Sequence, residues 1–292
     1  MTGEKKGITR RDREAFLRWR KVPPFFQFKR SSLVKNTLFA LIYCELIKRI
    51  FGFSQREPMC RILKTDLWNE GVEPQRDILG RCQRIRVNGM DLEFYGIDVS
   101  IETCKMARSN LPCKVNIMEA ITISLPFYPS SFNVLLDIST IDHVPPAHIP
   151  DVLEEYRQVL SENGILMLVF DSGVNFLCEM YHRFYLRGLY PEWTLIPSLV
   201  KRILKELGFE ILREHGCYLI GLLGGMHLRL PMVESLLRKR FGYLSRILMR
   251  IELSESSKRI AFLAPQYVII ARKGPSTMSC APTKDNTEAL IE

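Results

Sequence analysis

A doubly wound α/β domain is what this sequence predicts, and three observations predict it. Apolar runs of strand length recur from residue 58 onward, amphipathic stretches of helix length separate them, and acidic residues stand where the runs end, at 66, 98, 119 and 137. Strands that alternate with helices need crossover connections, which lay the strands parallel and place helices on both faces.

The elements follow in order. RILK (61–64) reads as the first strand and residues 69–81 as the helix after it. LEFYGI (92–97), a helix over 100–109, KVNIM (114–118) and FNVLLDI (132–138) come next. The periodicity then predicts a helix over 147–161, stopped at Glu162-Asn163-Gly164, and the buried strand GILMLVF (164–170). Thr194 is placed to cap a helix over 196–207, which Gly208-Phe209 ends. CYLIGLL (217–223), a helix over 231–249 and QYVIIARK (266–273) complete the count at seven strands.

Ahead of the sheet, LVKNTLFALIYCELIKRIFGF (33–53) is strongly apolar and helical in pattern. Its uninterrupted run between Lys35 and Glu45 falls far short of the roughly 18 residues a membrane span requires. Packing against the domain is the favoured expectation; the alternative is a helix lying in a bilayer interface beside Trp19, Phe25 and Phe26. The organisation expected is therefore a basic, aromatic arm and helix over 1–56 and a main domain over 57–273. Insertions fall around 174–195 and 224–255, and the polar tail, 274–292, is expected to be disordered.

Composition narrows the class. At 292 residues, 47% hydrophobic and 25% charged, the chain is long enough for a full core and close to globular averages. Its eight cysteines are scattered without a CxxC or Cys/His spacing, which suits free thiols in a reducing compartment and offers no metal site. With no secretory leader visible, a cytoplasmic protein is expected, with peripheral contact at a membrane as an extension. The net charge of +9 is unevenly spread: residues 1–56 hold 14 Lys+Arg against 4 Asp+Glu, whereas 57–199 hold 12 against 19. A basic arm on an acidic body points to an anionic partner for the arm, although solvated helix faces would look the same.

Open parallel sheets bind ligands beyond the carboxyl ends of their strands, near the switch in strand order. Asp66, Asp98, Glu119 and Asp137 stand at four such ends, with Ser139, Thr140, Asp142 and His143 following the fourth strand. Asp98, at the tip of the second strand, is suited to accept both hydroxyls of a ribose, or to cap the helix that begins near Ser100. Glu119 is suited to an adenine amino group, or to a solvent-facing loop.

YGIDVSIETCKMARSNLP, SLPFYPSSFNVLLDISTIDHV and VLEEYRQVLSENGILMLVF, taken in that order, resemble the core of the class I S-adenosylmethionine-dependent methyltransferases of the small-molecule type. The resemblance runs from about 60 to 273 and rests on Asp98, Leu125-Pro126-Phe127, Phe132-Asn133-Val134-Leu135, Asp142-His143, Arg157-Gln158-Val159-Leu160, Gly164 and Gly208-Phe209. It implies a mostly parallel, seven-stranded Rossmann-like sheet with S-adenosyl-L-methionine as cofactor. It also implies ribose and adenine contacts at Asp98 and Glu119, and it places Asp137 on the same rim. The departure is in the first turn, where LKTDLWNEG replaces the family's glycine-rich cradle. Thr65, Asp66 and Asn69 are the candidates to replace it, with Asp66 on the methionine ammonium and Asn69 on its carboxylate; the alternative is that Asp66 caps the helix from Trp68. Asn133 also replaces the usual strand Asp.

His143 is the candidate general base, oriented by Asp142, and a loop brace is its alternative role. Tyr181, His182, Tyr185 and Trp193 are candidates to line the acceptor pocket or form a lid. The expected acceptor is a small molecule, a glycan or a lipid-linked intermediate, with residues 1–56 meeting anionic membrane. RNA methylation, with the arm on phosphates, ranks below it because no nucleic-acid module is visible. A non-catalytic binding or scaffold protein that keeps the fold is the reading from another class, motivated by the missing glycines. A nicotinamide dehydrogenase is opposed by the absent GxGxxG.

Overall fold

The computed structural model describes residues 33–51, 58–72, 77–85, 90–111, 115–181, 193–217, 247, 249–254 and 264–275. Seven strands form one sheet: β1 (Met59–Lys64), β2 (Asp91–Asp98), β3 (Asn116–Glu119), β4 (Phe132–Ile138), β5 (Leu160–Asp171), β6 (Phe209–Cys217) and β7 (Gln266–Lys273). Their order is β3-β2-β1-β4-β5-β7-β6, with β7 antiparallel to both its neighbours and the other pairs parallel. The strand order reverses between β1 and β4, so the crevice in which a sheet of this kind takes its ligand is expected beyond those two tips.

Helices cover both faces, as expected. They are α1 (Leu33–Phe51), α2 (Trp68–Gly71), α3 (Leu79–Cys82), α4 (Ile101–Asn110), α5 (Ile149–Val159), α6 (Phe176–Tyr181) and α7 (Pro197–Glu206). Successive strand residues point to opposite faces, and the core divides accordingly. Leu135, Leu166, Leu168 and Ile269 pack under Val152, Tyr156, Val200 and Ile203 of α5 and α7. Val134, Leu136, Met167 and Val268 pack under Ile42, Leu46, Ile47 and Ile50 of α1 and Cys104 of α4. Each such aliphatic side chain contributes about 1.5–3 kcal/mol on burial.

The apolar segment at 33–53 is thus a core helix: α1 buries Phe39, Ile42, Tyr43, Leu46, Ile47 and Ile50, and the Tyr43 hydroxyl donates to Gln266 Oε1 at 3.0 Å. Among the described residues no helix is long and apolar enough to cross a membrane.

Some elements differ from expectation. The helix predicted over 69–81 is two short turns, α2 and α3, at the ends of that span, with 73–76 outside the described residues. The sixth described strand is Phe209–Cys217, which the sequence reading did not assign; of the predicted 217–223, all but Cys217 lies outside the described residues. Its alternation is obscured by Arg213 and Glu214, which pair across to β7, so a half-exposed strand near the sheet edge reads as polar loop. Thr194 does not cap α7: Ile196 holds that position, and Thr194 Oγ1 donates to Glu179 instead. Gly208 does end the helix, at φ +77°, a left-handed conformation that glycine adopts without steric cost. The predicted helix over 231–249 and the segments 1–32 and 276–292 lie mostly or wholly outside the described residues.

Candidate active site

Four strand tips surround the crevice, and each is organised by its own side chains. At the end of β1, Lys64 is fully buried. Its ammonium donates to Asp66 O at 2.6 Å, Asp66 Oδ2 at 2.9 Å and Glu70 Oε2 at 3.1 Å, which matches its three N–H donors to three acceptors. Burial alone would lower the Lys64 pKa, but the charges of Asp66 and Glu70 outweigh it and raise it, so the residue stays an ammonium. Glu70 Oε1 accepts from Ile78 N and Leu79 N, and ties the start of α3 to the same cluster.

Asp66 is engaged twice: Oδ2 meets Lys64, and Oδ1 accepts from Trp68 N at 3.0 Å, a local turn contact one residue ahead of the helix N-cap, which is Leu67 and carries no side-chain cap. Thr65 is buried, with its hydroxyl 3.0 Å from Thr140 Oγ1 across the switch point. Asn69 is buried within the α2 turn. Leu67 turns down into the core over Gly96, where any Cβ would stand 2.5 Å from a Leu67 methyl; that close approach is why position 96 is glycine.

At the tip of β2, Asp98 Oδ2 accepts from Leu67 N at 2.9 Å and Oδ1 from Ser100 N at 2.8 Å. Ser100 itself caps α4 by accepting from Thr103 N. Burial, only partly offset by those two N–H groups, pushes the Asp98 carboxyl up to about 7. Asp98 is in register with Glu119 on β3, so two carboxylates stand side by side at the rim, the first 9% exposed and the second open to solvent.

The turn after β4 centres on Asp137. Its Oδ1 accepts from Thr140 N and Ile141 N at 3.0 and 3.1 Å, and its Oδ2 accepts from the Tyr156 hydroxyl at 2.7 Å. Ser139, at φ +58°, makes the reversal that brings those N–H groups onto the carboxylate. Burial raises the Asp137 carboxyl to about 6 despite three donors. Asp137 thus faces inward as a brace of the turn, and the surface it supports carries Asp142 and His143 on a 3₁₀ turn.

Asp142 Oδ2 accepts from Asp171 N at 3.3 Å, its carbonyl accepts from Trp193 N at 2.8 Å, and its Oδ1 lies 4.0 Å from His143 Nε2. The His143 side chain keeps 25% exposure beside the nearly buried Asp142. The Trp193 backbone thus lies against the Asp142 turn, with its side chain partly buried on the core; the side chains of Tyr181, His182 and Tyr185 lie outside the described residues.

The structure thus brings Thr65, Asp66, Asn69, Asp98 and Glu119 to the rim over β3-β2-β1, and Asp142 and His143 to the rim over β4. Sequence reasoning missed Lys64, Glu70 and Tyr156 as organisers. A lysine at a strand tip, with acids two and six residues on, was the available signal for the first two. Tyr156 carries no local signal, because it reaches Asp137 only across the packed helix α5.

Residues 80–164 match the family model described as a methyltransferase domain. That stretch carries the sequence pattern of a methyltransferase domain. S-adenosyl-L-methionine is the methyl donor that this domain implies. The matched stretch begins beyond the β1 turn and includes Asp98, Glu119, Asp137, Asp142 and His143. No curated protein matches the chain by sequence.

Solved structures share the fold. A SAM-dependent methyltransferase of Thermotoga maritima, described as a possible histamine N-methyltransferase, superposes with a TM-score of 0.55 at 15% identity, over 86% of this chain and 98% of that one. The methyltransferase in a complex with the Trm112 methyltransferase activator of Haloferax volcanii gives 0.52 at 12% identity, over 78% and 89%. At these identities the likeness is one of fold.

The domain's residues fit the adenosyl half of that cofactor. Each Asp98 oxygen accepts one backbone N–H and retains a second lone pair for a hydroxyl, with Glu119 alongside. The methionine half meets a different surface. The β1 turn presents Asp66 and Trp68 side chains rather than a glycine backbone; Asp66 and Glu70 are tied to Lys64, and Asn69 is the polar side chain of the turn that makes no hydrogen bond among the described residues.

Proposed function

We propose that the domain transfers a methyl group from S-adenosyl-L-methionine to a small-molecule, glycan or lipid-linked acceptor. The observation that carries the reading is the pair of in-register carboxylates, Asp98 and Glu119, at the tips of β2 and β3 beside the switch point. Asp98 takes the ribose hydroxyls and Glu119 the adenine edge. The bound donor supplies an electrophilic methyl, and holding the acceptor in line with it can provide much of the rate. His143, partly exposed and 4.0 Å from Asp142, is the group suited to remove a proton from a hydroxyl acceptor.

The test is calorimetry of the full chain with S-adenosylhomocysteine and NAD, in the native protein and in Asp98→Ala. Binding of the sulfur ligand alone, lost in the variant, is expected. Heat with neither ligand would favour the second reading, a non-catalytic binding protein that keeps the fold. The specific support for that reading is the β1 turn, where Lys64 with Asp66 and Glu70 stands in place of a glycine backbone.

For the arm, packing of α1 into the core leaves residues 1–32, with 10 Lys+Arg against 3 Asp+Glu, as the segment to meet an anionic membrane. Co-sedimentation with anionic vesicles should weaken on deleting 1–32, and unchanged binding would remove the idea.

A further inference from the structure

We infer that the Asn69 side chain holds the carboxylate at the amino-acid end of the cofactor, with Asp66 on the ammonium, in place of the glycine backbone that this turn lacks. The inference rests on the adenosyl reading of Asp98 and Glu119 above. Asp98 is bonded to Leu67 N, so a ribose held by Asp98 lies against the β1 turn, and whatever its 5′ position carries meets that turn.

Asn69 is 5% exposed, and its amide makes no hydrogen bond among the described residues. Buried side-chain amides are nearly always paired, because desolvating one without a partner is costly. The other asparagine of this corner shows the ordinary case: Asn110 Nδ2 donates to Glu70 O at 3.0 Å and to Gly71 O at 2.8 Å, and closes the α2 turn. Asn69 is not sealed in apolar core either. Neither atom of its amide is among the fully enclosed, unpartnered polar atoms of the described residues, so the small opening the residue keeps includes the amide. Beyond the carboxyl end of β1, that is the side on which a sheet of this kind takes its ligand.

The groups around it are arranged to leave it in this role. Leu67 N is spent on Asp98 and Trp68 N on Asp66, while Glu70 N and Gly71 N donate to Leu67 O. Lys64 spends its three donors on Asp66 and Glu70. Asn69 offers an anion both its amide and its backbone N–H. Asp66 supplies the opposite charge. Its side chain is 16% exposed, and each oxygen accepts one contact, from Lys64 or from Trp68 N, which leaves each a further lone pair for an ammonium. One donor and one carboxylate, three residues apart, match the two charges of an amino acid.

The test is calorimetry of the full chain, native and Asn69→Leu, with S-adenosylhomocysteine, its analogue lacking the carboxylate, and 5′-methylthioadenosine, which lacks the whole amino-acid end. A charge-assisted hydrogen bond is worth about tenfold or more in affinity. The native chain should prefer S-adenosylhomocysteine to the analogue by that factor. In Asn69→Leu the preference should shrink to within about threefold, with 5′-methylthioadenosine binding unchanged. Asn69→Asp keeps the size but opposes a carboxylate, and should weaken S-adenosylhomocysteine further. Denaturant unfolding of Asn69→Leu should be unchanged or shifted to higher denaturant, because an amide without a partner costs the fold and leucine does not. A native chain with no preference, a preference that survives in Asn69→Leu, or a variant that loses stability each overturns the inference, and the adenosyl reading stands while 5′-methylthioadenosine still binds. Heat with none of the three ligands overturns both.

Discussion

The turns after β1 and β4 face each other across the switch point and solve one problem with opposite charges. After β1 a buried ammonium, Lys64, gathers two carboxylates and a carbonyl. After β4 a buried carboxylate, Asp137, gathers two backbone N–H groups and a tyrosine hydroxyl. Thr65 joins them, with its hydroxyl on Thr140 and its N–H donating to Leu136 O. The β1 cluster ties both acids to one buried cation, and only Asp66 of the three keeps some exposure. The β4 cluster is a foundation, and it carries the partly exposed His143 beside the nearly buried Asp142. Buried polar networks set the shape of both walls, and what differs is the side chain each leaves partly exposed, Asp66 in one and His143 in the other.

That contrast can be broken in graded ways. The largest effect is expected from Lys64→Met, which leaves Glu70 fully buried without its cation. Denaturant unfolding should show a loss of about 3–5 kcal/mol, partly restored by adding Glu70→Gln. A loss below about 1 kcal/mol would mean that Lys64 does not hold the turn.

Acidity tests both clusters together. Folded Asp98 and Asp137 keep their protons to about pH 7 and 6, whereas the ordinary carboxyl releases its proton near 3.8. The folded chain therefore binds more protons than the unfolded chain between these limits, and this contribution to stability falls as pH rises through the window, then levels off above about 7. The contribution is on the order of a few kcal/mol. Comparing unfolding at several pH values in the native chain and in Asp98→Asn should show a shallower fall in the variant. An unchanged slope would remove Asp98 from the account.

Tyr156→Phe deletes one donor to Asp137, and should cost about 1–3 kcal/mol. It should also move the Asp137 part of the pH window upward, because the lost hydrogen bond holds that pKa down. Loss of stability with no shift in the window would indicate packing alone. The smallest effect is expected for Thr140→Val, which cuts the hydroxyl contact between the turns at about 1 kcal/mol or less. A larger loss would show that the turns act as one unit.

Much of the sheet was legible because its strands are buried on both faces and read as continuous apolar runs. FNVLLDI and GILMLVF are of this kind, and both match the structure at their carboxyl ends. The stretch Phe209–Cys217 was not read as a strand because Arg213 and Glu214 disguise it near the sheet edge. In the site, Asp98 and Glu119 could be located at strand tips from spacing, and their adjacency came with the register of β2 and β3. The roles of Asp66 and Asp137 could not be read in the same way. Every acid on the rim looks alike in sequence, and only the direction of its carboxylate separates a ligand group from a brace.

By itself, the sequence determined the class of fold, the order of most elements and the rim on which acidic groups collect, because periodicity and strand length are local properties. The tertiary structure decided which acids are already occupied. That depends on Tyr156 reaching Asp137 from 19 residues away and on Leu67 N meeting Asp98 across 31. Partners so distant are brought together by packing, and packing is where a linear pattern stops carrying information.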